Sequence, residues 1–352
     1  MKPYIIGETA YHHEGDLAFL LKMIDDIAEM KLPAVKFHLL LEPGTYMEAH
    51  HPLWEATQKV LFTSREWKEI FSHTKQYDLD IIALCDDLEA VRFVNRHHSR
   101  VSAIELHSTS LNDYFMLNEI AEFPRQIILG VGGSTIDEID CAVAFLRDKG
   151  KKNILLMYGF QSYPTDYCHL NMSKMLKLRD MFDLPVGYAD HSGYDDENNI
   201  YISAMGAALG INILEKHYTP YPGVKRNDYH AAVGKEDMLK IRALMEVYLQ
   251  AYGEGSLSMA PEELSYGSTG PMKKAIVARR NIKAGEILTL NNMWFKRTQD
   301  CSALKQYQFA ELLGLKASAD MEVDEIIDFT KTEYRFKRAS FSTLTGGWED
   351  EK

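Results

Sequence analysis

Only four cysteines occur in the 352 residues, Cys85, Cys141, Cys168 and Cys301, and no two stand in a C-x-x-C spacing. That scarcity excludes a disulfide framework and a cysteine-held zinc knuckle, and leaves buried thiols as the ordinary reading. Basic charge is also lacking. With a net charge of -12, the chain has no excess of Lys and Arg to meet a phosphate backbone, which argues against a nucleic-acid surface. No apolar run approaches the ~20 residues a membrane span needs. The opening segment MKPYIIGETA has neither the basic region nor the apolar stretch and cleavage site of a secretory signal, so a cytoplasmic location is the default expectation. A glycine-rich phosphate turn is absent after the first strand-like run, where GETAYHHEG stands instead. A doubly wound dinucleotide-binding sheet would usually place its fingerprint there.

What the chain does have is alternation. Eight apolar runs suited to strands recur: PYIIGE, AVKFHLL, LDIIALC, VSAIEL, RQIILG, KNILLMYG, PVGYAD and INILEKH. Between them lie segments with apolar spacing near 3.6, such as DLAFLLKMIDDIAEM and SREWKEIFSHTKQY, and EDMLKIRALMEVYLQAY follows the eighth. Eight alternations over about 250 residues are what a (β/α)8 barrel, an α/β fold, requires. An open doubly wound sheet is the competing arrangement, because one sequence does not show closure. Residues 1–252 are therefore expected to form the barrel and the Gly-, Ser- and Pro-rich 253–271 a linker. Residues 272–337, with short apolar runs and tight turns, read as a small β-rich unit, and 338–352 as a mobile tail.

In such a barrel the C-terminal ends of the strands face the active-site mouth. Those ends carry Glu8, Lys36, His38, Asp86, His107, Gln161, Tyr163, Asp190, His191, Glu215 and His217. Gathering so many polar groups on one rim costs free energy unless they are used or paired, which points to an enzyme. His191 and His217 follow adjacent strands, so their imidazoles suit either a metal or substrate role or plain strand-end hydrogen bonding, with Asp190 placed to orient one of them. Lys36 reads as an ammonium that needs an anion. The turn formed by Gly130, Gly132, Gly133 and Ser134 precedes a helix and suits a phosphate or carboxylate. Arg125 stands just before the fifth strand, as an anion ligand or a surface residue. Glu14, in HHEG, fits a general acid/base, a hydroxyl ligand or a helix cap.

These segments together resemble the sialic acid (N-acetylneuraminate) synthases and the related makers of nine-carbon 2-keto-3-deoxy acids. The resemblance runs in order through YIIGETAYHHEGDL, AVKFH, RQIILGVGGSTIDEI, YPTDY, GYADHS and ILEKHYT to VARRNIKAGEILTLNNMWFKR, the last being similar to the antifreeze-like (SAF) domain of that family. It implies a metal-assisted condensation of phosphoenolpyruvate with an N-acetylhexosamine-type aldose. By motif position His191 and His217 would carry Mn²⁺ or Mg²⁺, and Lys36, Arg125 and the 130–134 turn would hold phosphoenolpyruvate. Glu14 would sit near the reacting carbons, while Gln161, Tyr163, Asp190 and Glu215 would face the substrates. Arg297 would reach the sugar in a partner's site, which implies a domain-swapped homodimer. The chain departs from the family's usual pattern at His12, His38, Arg125, the GVGG turn and Gln161, changes that imply an acceptor other than plain N-acetylmannosamine.

Overall fold

The computed structural model describes residues 1–160, 162, 165–267 and 272–333. It divides into two compact units, Met1–Glu254 and a second beginning at Gly255. In the first, eight parallel strands close on themselves: β1 (Tyr4–Glu8), β2 (Ala34–Leu39), β3 (Asp80–Cys85), β4 (Ala103–Leu106), β5 (Gln126–Gly130), β6 (Ile154–Tyr158), β7 (Val186–Asp190) and β8 (Ile213–His217). Closure is made by β1 on β8, with Ile6 opposite Glu215 and Glu8 opposite His217.

The helices form where the sequence supplies both a start signal and an apolar stripe. Asp16 caps Leu17–Glu29 by accepting from the Phe19 N–H, and Phe19, Leu20, Met23, Ile24 and Ile27 are buried. Thr63 and Glu66 make a reciprocal capping box at the head of Ser64–Thr74. These stripes and the outward faces of the strands pack into one continuous core that includes Val35, Phe37, Ile81, Ile104 and Leu129.

Alternation along each strand sends every second side chain into the lumen. There Ile6, Ala34, Ile82, Ala103, Ile128, Leu155, Met157 and Ala189 form a separate apolar plug. One pleat further toward the C-terminal ends the lumen turns polar, with Glu8, Lys36, Glu105 and Glu215 all buried. The barrel is thus a packed core below and a charged floor above, and the floor fixes where chemistry can occur.

The second unit has its own core, built on Ile276, Ala278, Ile282, Leu288, Met293 and Ile327. Its two antiparallel strands are β9 (Ala275–Ala278) and β10 (Met293–Lys296), and isolated bridges such as Ile282 with Met321 extend the pairing. The expected irregular linker is not wholly irregular: Pro261–Tyr266 is a short helix, with Pro261 opening it and the Glu263 carboxylate accepting from the Ala260 N–H. The tail expected to be mobile, residues 338–352, lies outside the described residues. Among the described residues no helix is long and apolar enough to cross a membrane.

Candidate active site

A cavity of about 440 Å³ opens at the C-terminal mouth of the barrel, lined among others by Glu8, Tyr11, Lys36, His38, Asp86, Glu105, His107, His191, Glu215 and His217. A larger hollow, about 970 Å³, lies beside the residues that precede β1, β2 and β3, including Lys2, Pro33 and Leu79. It is at the opposite end of the barrel from this polar cluster, so the smaller cavity is where the reactive groups meet.

Glu8 is the hub of the floor. Its Oε1 meets His38 Nε2 at 2.7 Å and Lys36 Nζ at 3.4 Å, and its Oε2 meets His217 Nε2 at 3.2 Å. Burial opposes ionisation of this carboxyl, but the Lys36 charge and the neighbouring His217 and His38 outweigh it and hold the pKa well below the carboxylate range. Lys36 Nζ also touches Glu215 Oε2 at 2.7 Å and Glu105 Oε2 at 2.9 Å. Burial works against its charge, yet Glu105, Glu215 and Glu8 together raise its pKa well above that of a free lysine. The expectation of an ammonium awaiting an anion is therefore corrected: Lys36 already has three carboxylate partners.

Three carboxylates cannot all ionise beside one ammonium without mutual repulsion. Burial, with Glu8 and Glu105 nearby, pushes Glu215 well above the usual range, and burial with Glu8 raises Glu105. Burial and like charge therefore oppose full ionisation of the floor. His38 goes the other way: burial lowers its pKa, but Asp86 and Glu8 overcome this and raise it to about 10. Asp86 also accepts from the Tyr11 hydroxyl at 2.6 Å.

Above the hub, the His191 and His217 rings stand 5.1 Å apart at 80°, so the two imidazoles do meet at the mouth. Burial and the neighbouring His217 lower the pKa of His191 to about 3, which keeps it neutral, the form in which imidazole ligates a cation. Among the described residues no group of three or more His, Cys, Asp or Glu is assembled to hold a metal. The donor set fits a divalent cation only as an open site, two nitrogens with the other positions left to substrate and water.

Several candidates land elsewhere. Asp190 points outward, toward the helix layer. Its carboxylate accepts from Lys216 Nζ at 2.7 Å, Ser203 Oγ at 2.6 Å, Ser192 Oγ at 2.7 Å and Tyr188 Oη at 2.9 Å. It neither lines the cavity nor orients an imidazole, because it is one pleat out of phase with the lumen. Arg125 precedes β5 and so lies at the closed end of the barrel, where Nη1 donates to the Val101 carbonyl at 2.7 Å. It cannot hold a ligand at the mouth. Glu14 is exposed, with a positive φ of 51°. It accepts from the Asn227 N–H at 3.0 Å and pairs with Arg226 at 3.4 Å, a latch between the loops after β1 and β8 rather than a group in the cavity.

The glycine turn is partly spent on itself. Ser134 N–H donates to the Val131 carbonyl, and Thr135 and Glu138 satisfy each other's N–H groups in a capping box at the head of Ile136–Asp148. The Glu138 carboxylate there disfavours a second anion. Gly132 lines the cavity, but its lack of a side chain has a packing cause: a Cβ would fall 1.6 Å from the Gly159 carbonyl oxygen. Gly132→Ala should therefore cost at least about 1–3 kcal/mol, read as a lowered urea midpoint. Gly133, at φ 75°, and Ser134 do not border the cavity. Gln161 and Tyr163 lie outside the described residues. Arg297, in the second unit, is exposed and contacts Met272 Sδ.

Glu105 is the residue that strand ends alone did not reveal. Its signal was present all the same, an acid inside the four-residue run AIEL, where burial on both faces leaves a carboxylate no solvent.

Residues 23–256 match the NeuB family. The chain belongs to that family. Residues 273–331 match the SAF domain. Relatives within reach include the N,N'-diacetyllegionaminic acid synthase of Campylobacter jejuni, 27% identical, covering 93% of this chain and 99% of that protein. The N-acetylneuraminate-9-phosphate synthase of Drosophila melanogaster is 24% identical, covering 92% and 94%. Among solved structures, the N-acetylneuraminic acid (sialic acid) synthetase of Leptospira borgpetersenii shares the fold with a TM-score of 0.68, at 24% identity over 75% of this chain and 90% of that one. Membership of the NeuB family agrees with the resemblance read from the motifs.

Proposed function

We propose that this NeuB-family chain joins phosphoenolpyruvate to an N-acetylhexosamine-type aldose, giving a nine-carbon 2-keto-3-deoxy acid and phosphate. The observation that carries the reading is the stack at the mouth: His191 and His217 face each other directly above the Glu8–Lys36 hub. A divalent cation, Mn²⁺ or Mg²⁺, held by these two imidazoles would supply a Lewis acid for the aldehyde oxygen.

The chain's own groups account for the rest. Lys36 is the one lysine or arginine among the described residues lining the cavity, and so the anchor for an anionic substrate. Glu8 fixes the His217 ring through Nε2, and burial with Glu8 beside it raises the pKa of Glu215, which suits it to hold or pass a proton at the floor. In the reaction the enol carbon of phosphoenolpyruvate bonds to the aldehyde carbon, whose oxygen takes up a proton. Water adds at the phosphate-bearing carbon of phosphoenolpyruvate and releases one, and phosphate then leaves with its C–O bond cleaved as the new hydroxyl gives its proton to the departing phosphate and becomes the keto oxygen.

The test is phosphate release from purified protein given phosphoenolpyruvate, Mn²⁺ and a panel of aldoses: N-acetylmannosamine, its 6-phosphate and diacetamido-trideoxyhexoses. Release with one of them, lost on adding chelator, is the expected result. Silence with no binding of phosphoenolpyruvate would remove the reading. The saturation of Lys36 by carboxylates favours a second possibility, a related aldol or lyase barrel that does not use phosphoenolpyruvate.

We further propose, on the resemblance, a homodimer in which Arg297 serves the partner's site. His217→Ala and Arg297→Ala variants, each inactive alone, should then regain activity when coexpressed, since a mixed dimer carries one intact site. Coexpression without recovery would leave Arg297 no role in the partner.

A further inference from the structure

Among the described residues lining this cavity, Lys36 is the one ammonium an anion could bind, and it is already compensated. The three carboxylates around Lys36 are not equivalent. Glu8 is held by His38 and His217 as well as by Lys36. Glu215 is held by a hydrogen bond from Lys36 Nζ to its Oε2 at 2.7 Å. Glu105 differs from both. Its Oε2 has Lys36 at 2.9 Å as an ion-pair partner and no well-formed hydrogen bond. Its other oxygen lies beside Gly130, so close that a Cβ there would already be in van der Waals contact with it, at 3.6 Å. Both residues border the cavity. Glu105, on β4, also faces Glu8 of β1 and His38 of β2 across the lumen; burial and Glu8 oppose its ionisation, while Lys36 and His38 favour it.

Resting on the synthase reading above, we propose that Glu105 is a specificity-determining residue that competes with the anionic substrate for Lys36, so that a phosphate or carboxylate gains the ammonium only by displacing the Glu105 carboxylate. The residue acts as an internal anion. It lowers affinity for any small anion that cannot offer Lys36 more than Glu105 does, and so selects a ligand with further contacts at the mouth over free phosphate. Compensation also keeps Lys36 charged and in place while the cavity is empty, since an unpaired buried ammonium would lose its proton or its position.

The test is calorimetric titration of the full chain at pH 8 with two probes, phosphoenolpyruvate and inorganic phosphate, comparing wild type, Glu105→Gln and Glu105→Asp. The glutamine keeps the shape and removes the charge, and Lys36 retains Glu8 and Glu215. Thermal unfolding checks that the variant is folded. Both probes should bind the glutamine variant about ten-fold more tightly, a change of about 1.4 kcal/mol, while the aspartate variant stays near wild type. Equal or weaker binding by the glutamine variant, with wild type binding normally, overturns the inference and leaves the synthase reading intact. Binding by the glutamine variant alone supports the inference and removes the synthase reading for the native chain. Binding by neither protein overturns both.

Discussion

Lys36→Met is expected to reduce phosphate release from phosphoenolpyruvate by at least on the order of 10²–10³-fold, the scale seen when one charge-stabilising donor is removed from a reacting site. Among the described residues no other lysine or arginine borders the cavity to take its place. The same change should destabilise the barrel by about 3–5 kcal/mol, because Glu105 would stay buried without its cation and Glu8 would lose one of its partners. The two effects separate by pH. Glu8 has a folded-state pKa depressed below its unfolded value, so in the native protein it contributes stability above the unfolded carboxylate pKa, lost as pH falls through the folded one. In the variant that contribution is reduced, and the deficit should therefore shrink on acidification. His38 gives a control at the other end: with its pKa raised to about 10, its contribution is complete below pH ~6.5 and is lost as pH rises through about 10 in both proteins. Urea unfolding from about pH 2 to about pH 11 reads both windows. Full phosphate release by the folded methionine variant would end the assignment of Lys36 as the anion anchor.

The eight strands were legible because each is a short apolar run closed by a polar cluster, and the structure places all eight where the runs stand. Closure was not legible. It depends on β1 finding β8 across more than 200 residues, and no local pattern encodes that pairing. The polar floor was half legible for a related reason. In a parallel barrel both faces of a strand are buried, so apolar alternation does not say which side chains enter the lumen. Glu215 and His217 point in, while Lys216 between them points out to Asp190. The last three residues of β8 thus serve two environments. Asp190 was misplaced by that same one-residue phase, Arg125 by standing at the wrong end of its strand, and Glu105 was passed over because it lies inside a strand. The second unit was easier. Its turns, such as the one at Lys283–Glu286, are set by local sequence.

Lys216→Met should show what the outward face of β7 and β8 is for. Lys216 is fully buried, donating to Asp190 at 2.7 Å and to the Ser192 carbonyl at 3.2 Å. Asp190 in turn accepts from Ser192 and Ser203, the latter on the helix Asn199–Ala208, so the pair ties two strands to one helix. Removing either partner strands a buried charge, and a loss of about 3–5 kcal/mol is expected for Lys216→Met and for Asp190→Asn. Burial opposes ionisation of Asp190, but Lys216 and the hydroxyl donors outweigh it and depress its pKa. Its contribution is therefore present above the unfolded carboxylate pKa and lost as pH falls through the folded one, so the Asp190→Asn deficit should be greatest near neutrality and shrink in acid. The lumen is untouched by these substitutions, because the side chains leave the strand on the opposite face from His191 and His217. The surviving folded fraction should then bind phosphoenolpyruvate with the wild-type dissociation constant. Loss of binding at unchanged stability would mean instead that Asp190 acts on the mouth after all, through the His191 that follows it, and that the outward network is a second function of the same carboxylate.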